Sequence, residues 1–264
     1  MQFVDGRASL PRHSTKRWKK RDVSRILGAA VHHTAGGDVP ENTAAYHVGK
    51  DIPALAYTFY IPKSGTVWWA NELDAKTWSQ GGRTSPDVDG DGDVDSTDGA
   101  GDANGRFLAI VLGGSFDSKW NKTGQEPTGE QVLALLSLWG HLVGHSRVQG
   151  WPPELFNALG HLRMADLWTH ADFGKIACPG RTITDLLVAL RTHREVARST
   201  EDWQRALVAA GYDLGKWGPK RDGVDGDWGS TSRDAIISFQ RSAGLEPSGH
   251  RDDITADELF RSRR

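Results

Sequence analysis

The run 107–114, FLAIVLGG, has no polar side chain. A strand that is apolar at every position is buried on both faces, and a sheet has both faces covered when helices flank it. Four further stretches read as strands: 26–33 (ILGAAVHH), 56–62 (AYTFYIP), 66–70 (TVWWA) and 166–170 (DLWTH). Each is short, rich in β-branched or aromatic residues and bounded by Gly, Pro or Asp. Lys63-Ser64-Gly65, between two of them, fits a hairpin turn. A helix is predicted from Thr128, where Thr128-x-x-Gln131 makes a capping box and Val132, Leu135, Leu136 and Trp139 share a face. Another follows Cys178-Pro179-Gly180, with Ile183, Leu186, Leu187 and Leu190 as its apolar stripe. The fold class is therefore α/β, a mixed β-sheet flanked by helices.

The pattern changes near residues 195–200. Ser199-x-x-Asp202 caps a helix with Trp203, Ala206, Leu207 and Ala210 as its stripe. A Gly/Asp-rich loop (DGVDGDWG) then leads to STSRDAIISFQRSAGL, and TADELF follows. These three short helices make a small separate bundle. With 264 residues two domains are the natural division, 1–197 and 198–264. No apolar run approaches the roughly 20 residues of a membrane span. The first residues carry charge but no apolar core, so no secretory signal is expected. One cysteine forms no internal disulfide, which points to a reducing cytoplasm.

A net charge of −2 hides an asymmetry. Residues 1–25 hold eight Lys/Arg against two Asp, either a solvated tail or an arm attracted to a polyanion. Residues 87–102 hold seven Asp and no base. Within them, 87–98 fits a calcium loop, D-x-D-x-D-G-x-V-x-x-x-D: Asp87, Asp89 and Asp91 alternate, Gly92 bends the chain, and Asp93 and Asp98 complete the donor set. No helical pattern flanks the loop, and the other reading of this 85–103 insertion is a flexible acidic segment. Eleven Trp are many for the length, and some can offer flat faces to sugar rings.

The single cysteine, Cys178, lies eight positions after His170. It is a buried small hydrophobe, a nucleophile or a metal ligand. Catalytic zinc sites take three protein ligands and keep a fourth position open. Cys178 and His170 supply two if the turn between them folds back, and His32-His33 at a strand end can supply a third. Side chains alternate along a strand, so only one of that pair faces any one site.

Taken in order, AAVHHTAGG, AYTFYIPKSGTVWWA, NGRFLAIVLGG and HADFGKIACPG resemble the zinc-dependent N-acetylmuramoyl-L-alanine amidases over about residues 25–195. The resemblance is to the phage lysozyme-type amidases and the peptidoglycan recognition proteins. It implies zinc ligands His32, His170 and Cys178. The eight-residue spacing favours His170 over His161. It also implies catalytic roles for Tyr57, at the start of the YHF-like strand where Thr58 replaces the His, and for Lys175. Catalytic relatives carry Lys or Thr at the position of Ile176, and the lysine here is one residue earlier. Residues 200–262 resemble the peptidoglycan-binding type 1 module, implying either wall anchoring or a helical appendage that stabilises the enzyme.

The expected protein is a monomeric endolysin of a phage or prophage, held in the host cytoplasm until lysis. Its partner would be bacterial peptidoglycan, with neither nucleic acid nor membrane. Its cofactor would be Zn2+, with Ca2+ at the acidic loop. The other readings are a recognition protein that binds peptidoglycan without cutting it, and a zinc peptidase that cuts within the stem peptide.

Overall fold

In the computed structural model the six residues Phe107–Leu112 form a strand, and every one is buried. The structure describes residues 1–80, 84–88, 94–117, 123–175, 177–197, 199–245, 247, 249, 251 and 253–261. In chain order the strands are β1 (Phe3–Asp5), β2 (Lys19–Lys20), β3 (Gly28–His33), β4 (Phe59–Ile61), β5 (Val67–Trp69), β6 (Ala75–Lys76), β7 (Phe107–Leu112) and β8 (Leu167–Thr169). The helices are α1 (Pro40–Gly49), α2 (Ala103–Arg106), α3 (Gly129–Leu142), α4 (Arg181–Ala197), α5 (Thr200–Ala209), α6 (Ser230–Ser242) and α7 (Asp253–Arg261). Two compact units result, Met1–Leu190 and Arg191–Arg264.

The first unit holds a six-stranded mixed sheet in the order β1-β5-β4-β7-β3-β8, with only β4 and β5 antiparallel, and a separate ribbon of β2 with β6. Alternation along β7 explains its apolar run. Leu108, Ile110 and Leu112 pack with Ala134, Leu135, Leu138 and Trp139 of α3 and with Ile183 and Leu187 of α4. On the opposite face Val111 meets Tyr60, Leu10 and Ala44 of α1, and Phe107 meets Ala30 and Phe173. At the start of β3 a Cβ on Gly28 would lie 2.3 Å from the Asp166 carbonyl oxygen. Only glycine lets β3 and β8 approach that closely.

The capping box at Thr128 is formed, and Gln131 does more than cap. Its Oε1 accepts the Thr128 N–H, while its Nε2 donates to Ile61 O (3.0 Å) and Gly113 O (2.9 Å). It thereby ties the ends of β4 and β7 to the helix. The buried stripe is rotated from the predicted one: Ala134, Leu138 and Leu142 are buried and Leu136 is only half-buried. Gln131, turned inward by its two carbonyls, moves the helix face with it.

The basic arm is not a loose tail, and several of its charged groups are engaged. Phe3–Asp5 pairs with β5 as an edge strand, and Leu10 is buried. Arg7 bonds Asp5 and Glu72 with its guanidinium 3.4 Å above the Trp69 ring. Arg12 donates to Ala70 O, and buried Arg21 donates to Leu73 O, Asn104 O and Phe107 O. Guanidinium groups satisfied by backbone carbonyls can be buried where ammonium groups rarely are.

In the acidic insertion Asp89, Asp91 and Asp93 lie outside the described residues. Asp98 is buried, and its two carboxylate oxygens accept the N–H of Val88 (2.6 Å) and of Asp95 (3.1 Å). Asp87 is half-buried.

In the second unit Trp203, Ala206, Leu207, Ile236 and Leu259 of α5, α6 and α7 form a core. Ala210, predicted to join the stripe, is the exposed cap of α5. Gln204 is buried instead. It donates to Asp225 Oδ1 (2.7 Å) and Asp227 O (2.9 Å) and accepts the N–H of Gly226 (2.9 Å), so it organises the Gly/Asp-rich loop. Among the described residues no helix is long and apolar enough to cross a membrane.

Candidate metal centre

Strand β8 runs parallel to β3 with Val31 opposite Thr169, so the residue after each strand pair ends beside the other. His32 follows Val31 on β3, and His170 follows Thr169. The Thr169 side chain caps a 3-10 turn, His170–Phe173. Its Oγ1 accepts the Asp172 N–H, and the Asp172 carboxylate accepts both the N–H (2.7 Å) and the hydroxyl (2.9 Å) of Thr169. Gly174 ends the turn in the left-handed region at φ 80°. Lys175 N–H then donates back to His170 O (3.1 Å), and Cys178 N–H donates to Lys175 O (2.8 Å). The eight-residue spacing closes through these bonds. Beyond Cys178, Gly180 adopts φ 107°, and a Cβ there would lie 2.7 Å from that of Phe116.

One ligand atom each from His32, His170 and Cys178 lies within 4.8 Å of the others. The two imidazoles are 4.2 Å apart between centroids. His32 is 2% exposed, and its Nε2 is buried with no hydrogen-bond partner among the described residues. A polar nitrogen buried without a partner costs free energy unless something else satisfies it. His170 Nε2 lies 2.9 Å from Gln80 O. A carbonyl only accepts, so this nitrogen is the N–H and Nδ1 carries the lone pair. Burial, and then the neighbouring His170, pushes the His32 imidazole well below its ordinary pKa. Burial does the same to His170, aided by the Lys175 charge and opposed by the Gln80 carbonyl. Both rings are neutral donors at physiological pH.

Burial pushes the Cys178 thiol up to about 12, against the His33 N–H that donates to its sulfur (3.4 Å). A thiolate in such a place needs a cation beside it. Two imidazoles, one of them with an orphaned nitrogen, and one thiol, with a ligand atom of each within 4.8 Å of the others, fit zinc.

Strand alternation separates His33 from this cluster. Its Nδ1 accepts the Phe116 N–H (3.0 Å) across the sheet. His161 is elsewhere too, with Nε2 donating to Ile26 O (2.9 Å). The Tyr57 ring lies 5.4 Å from that of His32, and burial, then the nearby Cys178, holds its phenol above the ordinary pKa. Thr58 points the other way, where its hydroxyl meets the Arg21 guanidinium (3.4 Å). The Lys175 side chain is exposed, and Ile176 lies outside the described residues. Two participants gave no sequence signal. The Gln80 carbonyl is a backbone group that no motif marks. His47 on α1 packs 5.7 Å from Tyr57 and accepts the Ala56 N–H at Nδ1 (3.1 Å).

Residues 22–181 match the N-acetylmuramoyl-L-alanine amidase family. Residues 199–259 match a peptidoglycan binding domain family. Among solved structures, the N-acetylmuramoyl-L-alanine amidase LysC from Clostridium intestinale URNW is 17% identical, over 73% of this chain and 98% of that one, with a TM-score of 0.46. The Ph2119 endolysin from Thermus scotoductus MAT2119 bacteriophage Ph2119 is 16% identical over 72% and 98%, at 0.45. The Drosophila peptidoglycan recognition protein SD is 14% identical over 71% and 93%, at 0.47. No curated protein matches the chain.

Proposed function

Since the chain belongs to the N-acetylmuramoyl-L-alanine amidase family, we propose that it hydrolyses peptidoglycan at a zinc ion held by His32, His170 and Cys178. The bond cut is the amide between the lactyl group of N-acetylmuramic acid and the L-alanine of the stem peptide. The observation that carries the zinc assignment is the approach of one ligand atom each from His32, His170 and Cys178 to within 4.8 Å of one another, with the buried His32 Nε2 left without a partner among the described residues.

When bound, zinc supplies Lewis acidity, polarising a carbonyl and making water a nucleophile near neutral pH. The chain's own groups orient and complement it. Gln80 O fixes the His170 tautomer, and the His33 N–H steadies negative charge on the sulfur. The Tyr57 phenol stays protonated and donates a hydrogen bond to the oxygen that gains charge as the carbonyl is attacked. Lys175 adds a positive charge at the rim.

Digestion of purified sacculi should release free α-amino groups without new reducing sugar ends. New reducing ends would make the enzyme a glycosidase. Intact sacculi that nevertheless bind the protein would identify a recognition protein.

The peptidoglycan binding match supports a second role, anchoring to the wall, and the pair of modules suits an endolysin. Residues 198–264 should co-sediment with cell walls without lysing them, and residues 1–197 should still cut soluble fragments. A folded 198–264 that stays in the supernatant leaves this unit only a stabilising part.

Calcium at 87–98 belongs to the same reading of wall-side chemistry. Asp98 already accepts two N–H groups, so binding should be weak, with a dissociation constant of about 10⁻⁵ to 10⁻³ M. Calorimetry and thermal shift measure it, and no response at millimolar calcium would leave an acidic spacer.

A further inference from the structure

Opposite the candidate metal centre, the sheet carries a cleft that the proposed reaction does not use. It encloses about 360 Å³. Its walls come from the β2–β6 ribbon, the 3-10 turn Val23–Arg25, α2 and the segment 96–102. β3 and β7 are parallel, with Gly28 opposite Phe107 and His33 opposite Leu112. Arg25 and Arg106 therefore stand at the starts of these strands and His32 near the end of β3. Six residues at about 3.3 Å each separate the two sites by roughly 20 Å.

Five cationic side chains line the cleft: Lys20, Arg21, Arg25, Lys76 and Arg106. Three are already engaged. Lys20 pairs with Asp74, Lys76 pairs with Asp102, and Arg21 spends its donors on carbonyls. Asp22, the other acid of the lining, accepts from Ser24 N–H and hydroxyl. Neither Arg25 nor Arg106 is in ion-pair contact with a carboxylate among the described residues, although the Arg25 charge acts on the nearby Asp22 carboxylate. Arg106 is held in place: its Nε donates to Arg25 O (2.8 Å), its own carbonyl accepts the Leu27 N–H (2.7 Å), and Gly99 packs on its aliphatic stem. That leaves its two terminal nitrogens as a preset fork in the cleft that Arg25 also lines.

We propose that this cleft is a second binding site, taking phosphate groups between Arg25 and Arg106. Guanidinium forks match the planar spread of phosphate oxygens, and two of them lining one concave surface, neither in contact with a carboxylate, favour a doubly bonded anion. The chemistry is shared by free phosphate and by a phosphodiester polymer of the cell wall. The anion site rests on neither the zinc nor the amidase assignment, and only the choice of a wall polymer as its ligand rests on the proposed function.

The test uses the full chain and calorimetric titration at low salt, with inorganic phosphate and a glycerol-phosphate hexamer as probes. Wild type should bind at least one of them, more weakly as salt rises. The double variant Arg25→Gln/Arg106→Gln should weaken binding about tenfold or more, as expected for lost charge-assisted hydrogen bonds. Arg25→Gln alone removes an exposed side chain with no packing role and should weaken it severalfold, which guards against misfolding of the double variant. Lys50→Gln/Lys63→Gln, an equal charge change at exposed positions, should leave affinity unchanged. Tighter binding of the hexamer per phosphate assigns a polymer, and equal binding assigns the free ion. Absence of binding to both probes, or equal loss in the Lys50/Lys63 variant, would overturn the site.

Discussion

Replacing Cys178 by serine should remove most of the bound zinc and reduce turnover to background. Serine keeps the volume and can still accept the His33 N–H, so the fold should persist with its melting temperature little changed. What goes is the soft anionic donor. A hydroxyl is a poor zinc ligand, and two neutral imidazoles alone hold the ion weakly. The loss in rate should exceed about 10²-fold, the usual cost of removing even one oxyanion donor. Metal analysis of the purified variant, set against about one zinc per chain in wild type, checks it. His170→Ala should behave likewise, while His161→Ala, whose ring only holds the Ile26 carbonyl, should keep its zinc. Full zinc retention in Cys178→Ser would remove the thiol from the ligand set.

Tyr57→Phe should lower the rate by about 10²-fold or more with zinc content unchanged, because it deletes one hydrogen-bond donor to the developing oxyanion. The phenyl ring keeps its contacts with His32 and His47, so packing is not disturbed. Lys175→Ala should have an effect of similar size if its amine reaches the same oxygen. A zinc-loaded Lys175→Ala enzyme of normal activity would show that the charge at the rim has no part in the reaction. Rate and metal content measured on the same preparation separate these roles from ligation.

Much of this arrangement is legible in the sequence. The wholly apolar 107–114 run calls for a strand covered on both faces, and β7 lies inside the sheet with helices on either side. Ser/Thr capping boxes at Thr128 and Ser199 mark helix starts because they satisfy the same orphan N–H groups in any context. The His170–Cys178 spacing matches that of the resembled family, and the alternation of β3 allows only one of His32 and His33 into the same site.

Other parts are silent for physical reasons. β1 is three residues long, and its strand character comes from pairing with β5 rather than from its own pattern. α1 has Val39 as an N-cap that makes no side-chain hydrogen bond, and the helix buries only Pro40 and Ala44, so no periodic stripe announces it. Arg21 reads as a surface charge until the carbonyls that surround it are in place. The bonds that orient His170 and Cys178 come from Gln80 O and His33 N–H, backbone groups common to every residue.

The central claim is the identity of the bond. Purified peptidoglycan digested with the full chain and resolved by mass spectrometry should yield stem peptides that begin with free L-alanine, together with glycan strands whose N-acetylmuramic acid carries a free lactyl carboxylate. Peptides that start beyond the first alanine, or glycan fragments with new reducing ends and intact stems, would contradict it.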